Sequence, residues 1–221
     1  MNNFKVEVKK GKNLLGWRLK IIDAENVLIT VGRFENWQKI IEDKKEWIVH
    51  HLAKMPVSKS LIYIKKIKIL DIEYDANLSQ GNNDSIIFFE DEKKIHIRVK
   101  TMTDNYIKKV IDKKIRPKAL KIIRDKTKEL ANKFNIKIGD IKIKNQKTRF
   151  GSCAGNGNLN FNWQIILFPI DKFEHVILHE LTHILEHNHS HRFWGKLAEM
   201  DKNCYQNNQW LRKEAVKLFL V

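Results

Sequence analysis

One five-residue run carries the sharpest chemical signal in the chain: His179-Glu180-Leu181-Thr182-His183. The pattern H-E-x-x-H has a physical logic. Residues i and i+4 share one face of a helix about one turn apart, so two imidazoles can converge on a single Zn²⁺ at ~2.0–2.1 Å each. Glu180 lies beside that face, placed to accept a proton from a water that the ion polarises and to pass it to a leaving amine. That is the chemistry of zinc-dependent peptide hydrolysis. Five residues with three fixed also match by chance in unrelated chains, so the surroundings must add to the signal.

A third ligand is on offer from His175, His187 or His189. His175, His179, His183 and His187 form a continuous i+4 stripe, whose neighbours are about 6 Å apart along the axis. Three of them spread over about 12 Å, too far for one tetrahedral ion. The third ligand must then come from beyond the helix. Asn188 tolerates the left-handed conformation that ends helices, after which His189 can swing back toward the pair. His189 is the favoured ligand and His187 the alternative; His175 and His187 otherwise read as histidines at the solvent edge or orienting a ligand. The 1-5-11 spacing also occurs in metzincins, but those carry Gly at the eighth position. Here that position is Glu186, which reads as a solvated charge or as a group that orients a ligand histidine. Upstream, Arg149 is a candidate contact for an oxyanion or a substrate carboxylate, or else an anchor for its own loop. Cys153 reads as a buried small residue rather than a soft zinc ligand.

These residues need elements to hold them. A helix over 172–187 carries the motif, with Val176, Ile177, Leu178, Leu181, Ile184 and Leu185 as its buried face. Asp171, with Glu174 three residues on, reads as a capping-box start. Before it, Asn158, Asn160, Asn162 and Gln164 alternate with Leu159, Phe161, Trp163 and Ile165, the period of a strand with one polar face. The GNG run at 155–157 marks a turn, and Pro169 ends the strand. If that strand lies at a sheet edge, Asn158, Asn160 and Asn162 can receive an extended peptide by strand addition. Ser190 starts a further helix packed through Phe193, Trp194, Leu197 and Met200. Residues 136–144 alternate as a strand, and 148–153 form a short β or loop segment.

Earlier in the chain, residues 4–32 read as strands and 36–55 as one amphipathic helix with Trp37 and Trp47 on its apolar face, closed by Pro56. Segments 61–74, 85–89 and 94–99 read as strands, with a turn at 80–84. Residues 103–134 read as helical, Pro117 either starting a second helix or kinking a long one. Leu120, Ile123, Thr127, Leu130, Ala131 and Phe134 form its buried stripe. The chain thus divides into a mostly β part with one helix, 1–102, and a catalytic part, 103–221; the fold class is α+β.

Composition bounds the rest. At 43% hydrophobic and 10% aromatic, the chain is not disordered. No apolar stretch is long enough to cross a bilayer, and the N-terminal residues lack the apolar core of a secretory signal. Two cysteines, Cys153 and Cys204, make no disulfide framework. The reading is a cytoplasmic protein with reduced thiols and no membrane partner. Of the formal net charge of +16, segment 107–149 holds +12, with 16 basic and 4 acidic residues. Such a field attracts polyanions, so nucleic acid is a candidate partner. However, 34 of the 42 basic residues are Lys, and solvated Lys needs no ligand. No zinc-finger, helix-turn-helix or RNA-recognition signature accompanies it. The alternative reading is a nucleic-acid-associated module with a structural zinc, or a DNA-stimulated protease. Three histidines and a Glu look like an open site rather than a closed, Cys-rich structural one.

Taken together, the residues resemble a known family. Arg149-Phe150-Gly151-Ser152-Cys153, then Gly157-Asn158-Leu159-Asn160-Phe161-Asn162-Trp163, then the H-E-x-x-H run, then Asn188-His189-Ser190 with Phe193-Trp194 resemble the YgjP-like zinc metallopeptidases, relatives of the SprT-like and WLM-type metalloproteases. The family pattern runs R-W-G-S-C, G-x-I/L-x-L/F-N-W, H-E-L-A-H and N-H-S-x-x-F-W. The dense likeness spans 147–194, and a looser one covers most of the chain, including WIVHHLAKM at 47–55. It implies a zincin-like α+β core, an active-site helix packed on a small sheet, with a mostly β N-terminal part. It further implies His179, His183 and His189 as zinc ligands, Glu180 as general base, and a peptide or protein as substrate. Phe150 stands for the usual Trp and Thr182 for the usual Ala; neither touches an assigned ligand. SprT and WLM relatives act on DNA-bound proteins, which bears on segment 107–149 by analogy alone.

Overall fold

Alternating Val and Ile residues pair the N-terminal segment into a three-stranded sheet of β1 (Lys5–Lys10), β2 (Trp17–Ile21) and β3 (Asn26–Val31). β3 is central, parallel to β1 and antiparallel to β2. It buries Val27, Ile29 and Val31 against Phe4, Ile41 and Ile48. In place of one helix over 36–55 there are two, α1 (Trp37–Asp43) and α2 (Lys45–Lys54), because Lys44 leaves helical geometry at φ −103°, ψ 6°. Asn36 caps α1 by accepting the Lys39 N–H at 3.2 Å. Trp47, expected on the buried face, is 45% exposed and stacks on His51 at 4.0 Å.

This computed structural model describes residues 4–11, 14–21, 26–54, 60–144 and 149–219; the expected helix stop at Pro56 and strand start at Thr148 lie outside them. Contacts divide the chain into two units, Met1–Lys59 and Ser60–Val221. The boundary expected after residue 102 falls inside the second unit.

In that unit β4 (Lys66–Ile69), β5 (Ile72–Gln80), β6 (Ser85–Phe89) and β7 (Lys94–Val99) form a sheet ordered β4-β5-β7-β6. The single strand expected over 61–74 is a 3₁₀ turn, Leu61–Tyr63, followed by the β4–β5 hairpin. Leu70 and Asp71 take positive φ, 45° and 67°, at its tip. Primed hairpin turns need such values and usually advertise them with Gly or Asn; this pair does not. The tip is held from outside instead. Leu70 N–H donates to the Ile166 carbonyl at 2.9 Å, and Asp71 Oδ2 accepts the Ile170 N–H at 2.8 Å.

One helix, α3 (Asp104–Lys133), runs 30 residues straight through Pro117. A mid-helix proline frees the carbonyl four residues back. Here both Pro117 and Lys113 are exposed, so water can satisfy that group. Its buried stripe runs through Ile107, Ile111, Ile115, Ala119, Ile123 and Leu130, while Leu120 is only half-buried. Asn135, at φ 54°, ends the helix, and the Ile136 N–H closes back on the Ala131 carbonyl at 2.8 Å.

A third, small sheet follows: β8 (Ile141–Lys144), β9 (Gly151–Cys153) and β10 (Leu159–Asn162), ordered β8-β10-β9. β10 is shorter than the expected strand because residues 163–167 coil into a 3₁₀ turn. Trp163 is fully buried there, and its Nε1 donates to Asp112 Oδ1 of α3 at 2.7 Å. Three helices complete the unit: α4 (Ile170–Leu185), α5 (His191–Met200) and α6 (Cys204–Lys213). Strands β4 and β7, helices α3 to α6 and β10 share one hydrophobic core. The architecture is α+β, a β-rich N-terminal region followed by a zincin-like core in which α4 packs on a small sheet. Among the described residues no helix is long and apolar enough to cross a membrane.

Candidate metal centre

α4 carries the H-E-x-x-H run, and both its ends differ from expectation. Its N-terminal amides are not served by a capping box. Pro169 occupies the cap position without a side-chain bond, and the Ile170 N–H is taken by Asp71, 99 residues away in the chain. That bond holds the Asp71 carboxyl below its usual range. Glu174 pairs instead with Lys126 of α3, at 3.2 Å. At the other end Asn188 does not enter the left-handed region. The chain leaves the helix through Glu186 in an extended conformation, φ −142° and ψ 106°, and bends at 187–188. Ser190 then caps α5 by accepting the Phe193 N–H at 3.4 Å. His189 sits between these two stops.

The result is a convergence. One ligand-capable nitrogen from each of His179, His183 and His189 lies within 4.8 Å of the others, a group able to hold a metal ion. Nε2 of His189 is 2.9 Å from Nε2 of His179. Nitrogens sharing one tetrahedral ion are spaced roughly 3.3 Å apart, so the cluster brackets the required spacing. His183 donates its Nδ1–H to the Glu186 carbonyl at 3.3 Å, which leaves its Nε2 lone pair free. The Glu186 side chain is engaged elsewhere, with Lys196 at 3.1 Å. Burial, then the neighbouring histidines, pushes His179 down to about 3, and burial lowers His183 as well. Both imidazoles are therefore neutral at neutral pH, the form that binds metals. Phe193, fully buried, touches all three rings at centroid distances of 4.6–4.9 Å. His187 is exposed and stands outside the group.

Glu180 is nearly buried, and its Oε2 has no hydrogen-bond partner. Burial pushes its carboxyl up to about 8 against the opposing pull of Arg149. Strand β9 lies directly on it: a Cβ added to Gly151 would stand 2.6 Å from Glu180 Cγ and Oε1. The glycine is there for that close approach, not for a turn. A cleft of about 300 Å³ joins Gly151, Ser152 and Cys153 of β9 to Glu180 and the histidines. A larger groove of about 940 Å³ runs between α3 and β8 and contains none of them.

The comparison with known families turns on extent: residues 17–214 match the YgjP-like metallopeptidase domain. The chain belongs to the YgjP-like family of metallopeptidases. It is thereby a hydrolase of that class, with a histidine cluster suited to a metal. No curated protein matches the chain. Among solved structures it is similar to jannalysin of Methanocaldococcus jannaschii, a metallopeptidase zymogen, at 25% identity. That likeness covers 42% of this chain and 95% of the other, with a TM-score of 0.37.

Within this YgjP-like chain the asparagine face of β10 is not a substrate strand. β10 is paired on both sides, with β8 and with β9. Asn158 Oδ1 accepts the Asp140 N–H at 2.7 Å, and Asn162 is buried and caps the following turn; Asn160 faces a paired neighbour, Ser152. Sheet order is not encoded in a strand's own pattern, so the alternation could not reveal this. The sheet's edge strands are β8 and β9, and β9 is the one that lies on Glu180. Ala154 N–H bonds the Asn158 carbonyl and Asn162 N–H the Phe150 carbonyl. By antiparallel alternation, the amides and carbonyls of Gly151 and Cys153 therefore point away from β10. Cys153 is half-buried, and burial raises its thiol. His175 is not at the solvent edge. It is fully buried, and its Nδ1–H donates to Asp201 Oδ2 at 2.6 Å. Asn207 donates to the same oxygen, and Lys172 closes the network on Asn207 Oδ1. Burial raises the Asp201 carboxyl, but the bonds from His175, Asn207 and the Asn203 N–H outweigh it and hold it low. This network ties α4 to α6 beneath the cluster. Nothing in the sequence around Asp201 signals it.

On α3, Arg116, Lys118, Lys121 and Lys126 pair with Asp112, Glu90, Asp125 and Glu129. Part of the basic run is thus internally compensated.

Proposed function

We propose that this YgjP-like protein is a zinc-dependent peptidase, with His179, His183 and His189 holding the ion and Glu180 as general base. One observation supports it above the others: three converging imidazoles, two of them kept neutral by burial, beside a buried carboxyl whose Oε2 lacks any partner. The donor set fits zinc. Neutral imidazoles are its usual nitrogen ligands, and three protein ligands leave a position open, as catalytic sites do. When bound, zinc supplies a positive charge that acidifies the attacking water and polarises the scissile carbonyl.

The chain's own residues do the rest. A cation held by the neighbouring histidines favours the ionised form of Glu180. The carboxylate then takes a proton at its free Oε2 and returns it to the leaving amine. The outward amides and carbonyls of Gly151 and Cys153 pair with the main chain of an extended peptide. Arg149, exposed and without a protein hydrogen bond among the described residues, is free to meet an oxyanion or a carboxylate. Burial of His175 on Asp201 keeps α4 in register beneath the ligands.

Removing metal tests the proposal. Treatment with a zinc chelator is expected to abolish peptide hydrolysis, and one equivalent of zinc to restore it; hydrolysis that survives complete demetallation would end the zinc reading. Gly151→Ala tests the packing of the base. The added methyl must displace the Glu180 carboxyl, and a misplacement of about 1 Å costs roughly 10²-fold. The expected result is a fall of that size in kcat with zinc stoichiometry unchanged. Wild-type turnover in this variant would show that the contact is idle.

A further inference from the structure

We infer that the pocket flanking the cluster selects a carboxylate on the peptide, either an acidic side chain or a free C-terminus; this rests on the peptidase reading above. A cavity of about 430 Å³ opens on the site, with His179, Glu180 and His189 in its wall. Arg149 lines it from beside β9 and Arg212 from α6. Phe150, Trp194 and Leu211 supply apolar surface, and Asn208 a neutral hydrogen-bonding group.

Three observations point to an anion. First, among the described residues neither guanidinium has an ion-pair partner. Glu180 is the one carboxylate in the wall, against two guanidinium groups. Two cations facing one partly apolar cavity repel each other, and a bound carboxylate relieves that repulsion. Second, the cation type is selective. Only 8 of the 42 basic residues are Arg, against 34 Lys, yet both cations in this wall are Arg. The planar guanidinium matches a carboxylate with two parallel hydrogen bonds, which an ammonium cannot do. Third, the mixture of walls suits a group with an apolar stem and an anionic head, as in a glutamate side chain. The stem lies against Phe150 and Leu211, and the head meets the arginines.

The test uses matched peptides. One pair, amidated at the C-terminus, differs only by Glu against Gln at positions flanking the scissile bond. A second pair differs only by a free or amidated C-terminus. With zinc-loaded protein, the acidic member of at least one pair is expected to show a kcat/KM at least about tenfold higher, the scale of a charge-assisted hydrogen bond. A preference confined to the first pair assigns the pocket to side chains, and one confined to the second assigns it to the terminal carboxylate. Arg212→Gln is expected to bring the ratio close to one. Arg212→Lys is expected to restore it only in part, since it keeps the charge and loses the fork.

Calorimetric titration of the same peptides into metal-free protein gives a readout that needs no turnover, with the same tenfold preference and the same loss in Arg212→Gln. Cleavage of both members at equal rates, with equal affinities, overturns the pocket assignment and leaves the peptidase reading standing. Full preference retained in Arg212→Gln also overturns it. No cleavage of any peptide by protein that holds zinc removes the peptidase reading, and with it the inference.

Discussion

Glu180→Gln is expected to lower peptide hydrolysis by about 10²–10⁴-fold, the range ascribed to a positioned general base, while zinc remains bound at one equivalent. Glutamine fills the same space beneath Gly151 but cannot take a proton. The loss should therefore fall on kcat with little change in KM. Undiminished hydrolysis would remove Glu180 from the chemistry.

The same substitution makes a second, independent prediction for the metal-free protein. The folded carboxyl is pushed up to about 8 by burial from an ordinary value of 4.5. The folded state thus binds this proton more tightly than the unfolded state. Stability from this group is complete below about pH 4.5 and is lost as pH rises toward 8. Glutamine has no such term. Metal-free Glu180→Gln should match the wild type near pH 4.5 and exceed it by about 2–4 kcal/mol at pH 9, read from urea midpoints. The opposing titration of buried His179 is common to both proteins and drops out of the difference. Parallel curves at the two pH values would show that burial does not raise this carboxyl.

What the sequence could reveal of the site depended on whether the determinants were local. The two cluster histidines of α4, His179 and His183, were legible because helical spacing alone puts them on one face. The need for a third imidazole from outside followed from the rise per residue. The route did not. The expected reversal was a left-handed Asn188, whereas the chain leaves through an extended Glu186 whose carbonyl also orients His183. Long-range determinants stayed hidden for one physical reason: the partner lies far along the chain. Asp71 caps α4 from a hairpin tip that has no glycine. Gly151 stood in a short β or loop segment with nothing local to mark its constraint, which is the Glu180 carboxyl. Asp201 carries no motif, yet it partners the buried His175. The alternation around β10 does not show whether the strand lies at a sheet edge, the condition its substrate role carried, because neighbours on both sides are set by sheet order.

His189→Ala is expected to weaken zinc binding by more than about 100-fold. Disturbing merely an outer partner of a metal ligand costs 10–100-fold, and this change would delete one of the three imidazoles. His189 is also the member of the cluster best suited to the experiment. It is exposed, so its loss should change folding stability by less than about 0.5 kcal/mol. His179 makes the same ring contacts but is half-buried, and its removal would confound metal loss with a cavity. His187→Ala supplies the control: His187 lines the cleft but lies outside the three-histidine group, so zinc affinity should change by less than about twofold. Competition against a chromophoric chelator measures all three proteins on one scale. If His189→Ala holds zinc as tightly as the wild type while His187→Ala does not, the ion is held from the helix side of the bend, and the extended exit through Glu186 is not what completes the site.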